Sequence, residues 1–132
     1  MKYLLDTNIC IYAINGRHPQ LTKKLLSISP EEIAVSSVTV GELEYGAAKS
    51  NWGERTRETI RSFLANFPVV SFEEEDALLF GKNRAILEKA GMTIGILDLM
   101  IGSQGVRNDL IVVTHNTREF ERIPGIRIED WV

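Results

Sequence analysis

Asp6, Glu42, Asp98 and Asn116 are three acids and an amide placed soon after apolar runs that read as parallel strands. Strands of an open α/β sheet end at a common crevice, so side chains spread over about a hundred residues of sequence can converge there. A lone buried carboxylate is costly unless it is neutralised, paired or bound to a cation. That makes Asp6, at the end of Tyr3-Leu4-Leu5, a candidate ligand, and Asp98, inside Ile94-Gly95-Ile96-Leu97-Asp98-Leu99-Met100-Ile101, the sharpest of the set. Glu42 stands beside Val40 and Leu43 on a helix face that is not fully solvated, whereas Glu44 points elsewhere and suits a solvated role. Thr114-His115-Asn116 follows the apolar Leu110–Val113, and Glu119 comes one turn later. Each residue has a plainer reading beside this one: Asp6 as a helix cap, Glu42 as an exposed acid, Asp98 as the partner of a helix dipole.

Taken together, the residues suit one chemistry. Hard oxygen donors without cysteine or paired histidines favour Mg²⁺ or Mn²⁺ over zinc. Such ions meet phosphate substrates, where they activate water and stabilise the attacking and leaving oxygens, so no Ser or Cys nucleophile is required. The two histidines do not make a metal pair, and His115 reads as a residue of the crevice rim.

The elements that must hold these residues alternate between strand and helix patterns. Lys2–Leu5, Ile33–Ser36, Val69–Phe72, Leu110–Thr114 and Ile126–Ile128 read as strands, the fourth β-branched and continuous as a buried parallel strand is. Helices are expected over Ile9–Asn15, capped by Thr7 or Asn8 and ended by Gly16, and over Pro19–Ile28 with Leu21, Leu25, Leu26 and Ile28 on one side. Others open at Ser37 or Thr39 and end near Lys49, then run over Trp52–Phe67, Glu73–Ala90, Leu97–Val106 and Arg118–Arg122. No linker, repeat or low-complexity tract divides residues 1–132, so the expectation is one three-layer α/β/α domain with a mostly parallel central sheet. The 44% apolar and 25% charged content exclude a disordered or fibrous chain. Nothing approaches the ~20 apolar residues of a membrane span. The start Met1–Asp6 meets an acid before a signal-peptide apolar region could form, which gives a cytoplasmic location as the expectation. Cys10 cannot form an internal disulfide and reads as a core residue. The net charge of −3 argues against bulk attraction to nucleic acid, although acids gathered around a cation would leave the rest of the surface less acidic than the count suggests.

Four blocks carry a resemblance: Leu4-Leu5-Asp6-Thr7-Asn8, Ser36 through Ala47, Ile94 through Ile101, and Val113 through Phe120. In order and spacing they are similar to the signature blocks of the PIN-domain ribonucleases. Over its whole length the chain resembles the VapC toxins of bacterial type II toxin–antitoxin pairs. Its ending, Ile123 through Trp131, is similar to the subgroup specific for initiator tRNA. The resemblance implies a PIN-like fold in which Asp6, Glu42 and Asp98 hold Mg²⁺, for which Mn²⁺ can substitute. It implies water-driven cleavage of RNA to a 5′-phosphate and a 3′-hydroxyl, at the anticodon stem-loop of initiator tRNA, which would inhibit translation. Thr7 and Thr114 would orient the carboxylates or the water. Many relatives carry Asp where this chain has Asn116; an amide coordinates without bringing charge, so a second cation should bind weakly unless Glu119 compensates.

The partners implied are RNA, a homodimer mate, a cognate VapB-type antitoxin, and operator DNA only through that antitoxin, with no membrane. Candidate RNA cations are Lys23, Lys24, Arg118 and Arg122, with Arg57 and Arg61 weaker because Glu54 and Glu58 can pair them. Trp52 and Trp131 could stack on bases but suit packing better. The helices holding Ile9–Ile14 and Trp52–Phe67 are the expected antitoxin groove. Two rivals stay open. A haloacid-dehalogenase-type phosphohydrolase needs a second Asp where Asn8 stands, and a non-catalytic PIN-like RNA-binding module would be marked by Asn116.

Overall fold

In the computed structural model, which describes residues 1–132, Tyr3–Leu5 (β1) is the middle strand of a sheet in the order β3-β2-β1-β4-β5. Its neighbours are Ile33–Ser36 (β2) and Ile111–Val113 (β4), with Val69–Val70 (β3) and Ile128–Glu129 (β5) at the edges. Every pairing is parallel, so all five strands end at one edge, and the expected parallel central sheet is the one that forms. Leu5 is in register with Val35 on one side and Val113 on the other. The residues that follow, Asp6, Ser36 and Thr114, therefore start the crevice side by side.

The two-residue period of the central strands sorts the core. Tyr3, Leu5, Ile33, Val35, Ile111 and Val113 pack on one face with Ile9 and Cys10 of Thr7–Asn15 (α1), Leu21 of Pro19–Leu26 (α2), Leu43 of Ser37–Lys49 (α3) and Trp131. Half-buried Ile60, Phe63 and Leu64 of Gly53–Leu64 (α4) cover this cluster from outside. On the other face Leu4 and Ala34 meet Ile101, and Val112 meets Leu87 and Leu99, from Glu74–Lys89 (α5) and Ile96–Arg107 (α6). Thr117–Phe120 (α7) adds Phe120 to that side. Strands buried on both faces read as continuous apolar runs for this reason. No helix is long and apolar enough to cross a membrane.

Several boundaries differ from the expectation. Asp6, not Thr7 or Asn8, caps α1, because its Oδ1 accepts from Ile9 N at 2.8 Å; Gly16 ends the helix at φ 67° as expected. Pro19 starts α2 as expected, but the helix stops at Leu26, which is 83% exposed rather than part of the apolar side. Ser36 caps α3 by accepting from Val38 N, so neither Ser37 nor Thr39 does so. Helix α4 ends at Leu64, and the strand expected over Val69–Phe72 shrinks to two residues. The segment expected as a strand over Ile126–Ile128 pairs only at Ile128–Glu129.

Helix α6 lies against β4 at Gly105, where a β-carbon would stand 2.5 Å from Val112 Cγ2. Val112 is fully buried in a strand and cannot retreat. Gly105→Ala should destabilise the fold by about 1–3 kcal/mol, as overpacking does. Chemical denaturation would check it, with an unchanged midpoint counting against this contact.

Candidate metal and nucleic-acid site

At the strand-end edge the main chain of Asp6 donates to Val113 O at 3.0 Å, which ties the start of α1 to the end of β4. Asp6 is 2% exposed, and its carboxylate also accepts from the Thr114 side chain. Burial pushes its pKa up, and the Thr114 and Ile9 hydrogen bonds oppose that shift. Asp6 thus fills the plainer role of helix cap and stands in the crevice as well. Glu42 and Asp98 reach the same crevice from helices rather than strand ends. Glu42 lies in the second turn of α3, and Asp98 in the first turn of α6, half-buried.

These acids feel one another. Asp98 is pushed up to about 6, first by burial and then by the charges of Asp6, Glu42 and Glu119. Asp76 is the instructive contrast. It is fully buried too, but Arg107 Nε and Asn108 Nδ2 donate to its Oδ1, and its Oδ2 accepts from Glu73 N. Asp76 is compensated by a cation of the chain and is structural. Asp6, Glu42 and Asp98 have no Lys or Arg within ion-pair distance.

Hydroxyls order the cluster. Thr7 Oγ1 donates to Glu42 Oε1 at 2.6 Å and lies 3.0 Å from Thr39 Oγ1. A hydroxyl has one proton, so with Thr7's committed to Glu42, Thr39 is the donor to Thr7. Thr39 was expected only as a helix opener. The signal for its second role was present, since it lies three residues before Glu42 and so shares its helix face. Thr114 Oγ1 accepts from Asn116 N at 2.9 Å. Asn116 Nδ2 donates to Glu119 Oε2 at 3.0 Å, which turns the amide so that its carbonyl oxygen is the atom left for a ligand.

The donor chemistry fits a hard divalent cation, because the oxygens of buried Asp6 and half-buried Glu42 and Asp98 repel one another and have no Lys or Arg partner. The cage is not closed in advance: no group of three His, Cys, Asp or Glu side chains stands ready to grip an ion. Glu42 is held by Thr7 instead.

The expected RNA cations divide. Arg118 is exposed and has no carboxylate or carbonyl partner, whereas Arg122 Nη1 donates to Thr93 O at 2.8 Å and so holds the loop before α6. Lys24 Nζ lies 5.7 Å over the Trp131 ring, and Lys23 is exposed on α2. Arg57 pairs with Glu44 and Glu54, not Glu58. Trp131 is core, edge-on to Tyr3 at 4.9 Å, and burial also pushes the Cys10 thiol up, consistent with an inert core residue.

Known proteins share this fold. The PIN domain family matches residues 3–126. The tRNA(fMet)-specific endonuclease VapC of Salmonella typhimurium is 40% identical over 99% of this chain and 98% of its own length. Ribonuclease VapC2 of Rickettsia felis is 38% identical over the same shares. The crystal structure of DNA-bound VapBC from Salmonella typhimurium superposes with a TM-score of 0.95 at 39% identity, covering 100% of this chain and 99% of that one. With a family match over residues 3–126, full-length sequence similarity and a fold in common, the chain belongs to the PIN-domain family and, within it, to the VapC ribonucleases.

Proposed function

We propose that Asp6, Glu42 and Asp98 hold Mg²⁺, with Mn²⁺ able to substitute, and that the chain cleaves initiator tRNA at its anticodon stem-loop as the toxin of a type II pair. The observation that carries the site is the cluster of buried Asp6 with half-buried Glu42 and Asp98, without a Lys or Arg partner, in which Asp98 is raised to about 6 first by burial and then by Asp6, Glu42 and Glu119. PIN-domain ribonucleases are metal-dependent as a class. The RNA target rests on the tRNA(fMet)-specific relative at 40% identity.

When bound, the cation would supply charge against the phosphate and lower the pKa of an attacking water. The chain's own residues do the rest. Thr7 holds Glu42 in one rotamer, Thr114 holds Asp6 and the turn at Asn116, and Glu119 aims the Asn116 amide. Arg118, without a partner on the protein, is the cation best placed to meet the RNA backbone, ahead of Lys23, Lys24 and the occupied Arg122. Asn116 brings no charge, so the site favours one tightly held cation.

The test is incubation of the chain, freed of any antitoxin, with total bacterial tRNA in Mg²⁺ or Mn²⁺, beside an EDTA control. One discrete cut in a single tRNA, abolished by EDTA, is expected. Intact RNA from a folded protein whose melting temperature rises with Mg²⁺ would favour the non-catalytic RNA-binding reading.

The partner is a VapB-type antitoxin, as in the VapBC complex that this fold matches. An apolar groove between α1, α3 and α4 suits it, lined by Ile11, Ile14, Leu43, Ala47 and Ile60 and reaching Glu42. An amphipathic segment seated there would end beside the acids. Ile11 is 38% exposed, so Ile11→Ser should spare folding and cleavage while weakening the antitoxin complex at least about tenfold. Calorimetric titration with the antitoxin checks this, and unchanged affinity would remove α1 from the groove.

A further inference from the structure

The acids and Arg118 meet the phosphates of an RNA but not its bases, and Trp131 is buried in the core. Trp52 is exposed, but it lies beyond the far end of α3, which leaves the crevice at Ser37 and runs for 13 residues, or about 20 Å. The ring that does stand beside the crevice is His115, and Tyr12 and His18 follow it away from the acids. His115 is two residues beyond β4, whose Val113 is in register with Leu5 and accepts from Asp6 N, so its backbone adjoins that of Asp6. Tyr12, on α1, lies 6.4 Å from His115 by ring centroids at an interplanar angle of 69°, and 4.5 Å from His18 at 42°.

We propose that Tyr12, His18 and His115 form a ring platform that stacks an unpaired base flanking the phosphodiester being cut, with His115 as its outer face. The proposal rests on the ribonuclease reading of the site.

His115 is presented for such a contact. Its side chain is 53% exposed, yet it is not free to turn, because Nδ1 lies 3.0 Å from Asp130 Oδ2. A carboxylate only accepts, so Nδ1 carries the proton and Nε2 is the nitrogen left for RNA. Asp130 is itself anchored, accepting from Val132 N at 3.0 Å. Asp130 is therefore a positioning residue. Beyond His18 the surface continues into a depression lined by Arg17, Gln20 and Val132, and Arg17 has no carboxylate partner. Rings followed by an unpaired cation are what single-stranded RNA tracks are made of, since every base has a π-face and every linkage a charge.

The experiment uses the full chain carrying Asp98→Asn, so that RNA stays intact, and short single-stranded RNAs each bearing one 2-aminopurine at a different position around the cut site. Quenching of that fluorophore reports stacking. At the position flanking the cut, quenching is expected with Asp98→Asn, loss of quenching on adding His115→Ala, and its return with His115→Phe, which keeps a ring. RNA affinity should fall about tenfold with His115→Ala. In the chain with Asp98 intact, His115→Ala and Asp130→Asn should raise KM for the tRNA while leaving kcat nearly unchanged. Unaltered quenching and KM in His115→Ala, with the tRNA still cut, overturns the platform alone. If the unsubstituted chain neither binds nor cuts any RNA, the ribonuclease reading falls and the platform with it.

Discussion

Asp98→Asn should abolish RNA cleavage and at the same time make the metal-free protein more stable at neutral pH. Loss of activity of at least about a hundredfold is the scale for removing one preorganised charge from a reacting centre. The gain in stability comes from the same charge. Burial and the neighbouring Asp6, Glu42 and Glu119 push Asp98 up to about 6, so the folded chain holds its proton more tightly than the unfolded chain does. As pH rises from about 4 to about 6, the unfolded state loses that proton first, and stability falls until the folded pKa is passed. With solvent screening at a half-exposed carboxylate, the penalty above pH 6 is on the order of 1–2 kcal/mol. The asparagine variant escapes it. Its melting temperature should exceed that of the parent at pH 7.5 and equal it at pH 4. A variant that is less stable at both pH values would show Asp98 to be a structural acid.

Asp6 separates the two roles of one carboxylate in a second way. Asn caps a helix as well as Asp does, so Asp6→Asn can retain the Ile9 N–H bond at 2.8 Å while removing the charge. The fold should survive and cleavage should be lost to background. Asp6→Ala removes the cap and leaves the Thr114 hydroxyl without its carboxylate at a fully buried position, at a cost of about 2–3 kcal/mol. Thermal melts and tRNA cleavage on both variants check this. Cleavage by Asp6→Asn at the parent rate would remove Asp6 from the site and leave only its capping role.

How far the site was legible can be followed residue by residue. Asp6, Glu42, Asp98 and Asn116 stood out because charge or amide inside apolar sequence needs a reason, and parallel strands share an edge where that reason can be met. The structure brings them to that edge, Asp6 and Asn116 from strand ends and Glu42 and Asp98 from helices. Thr39 was less legible, because a threonine near a helix start reads as a cap until its hydroxyl is seen 3.0 Å from that of Thr7. The bond from Arg122, a candidate RNA cation, to the Thr93 carbonyl was not legible, because nothing in its spacing announces a partner 29 residues away. Element ends slipped for a related reason: capping by Asp6 and Ser36 depends on where a side-chain oxygen comes to rest, not on residue type alone.

By itself, then, the sequence determined the alternation of strand and helix, the two-sided burial of the central strands and which acids needed an explanation, since local period and the cost of a buried charge are written in residue order. Only the tertiary structure decided which hydroxyl holds which carboxylate, that Asp76 is neutralised by Arg107 while Asp98 is not, and that His115 is locked by Asp130 beside Tyr12. Those relations depend on distances of a few ångströms between residues far apart in the chain, and hydrogen bonds and repulsions are set by such distances.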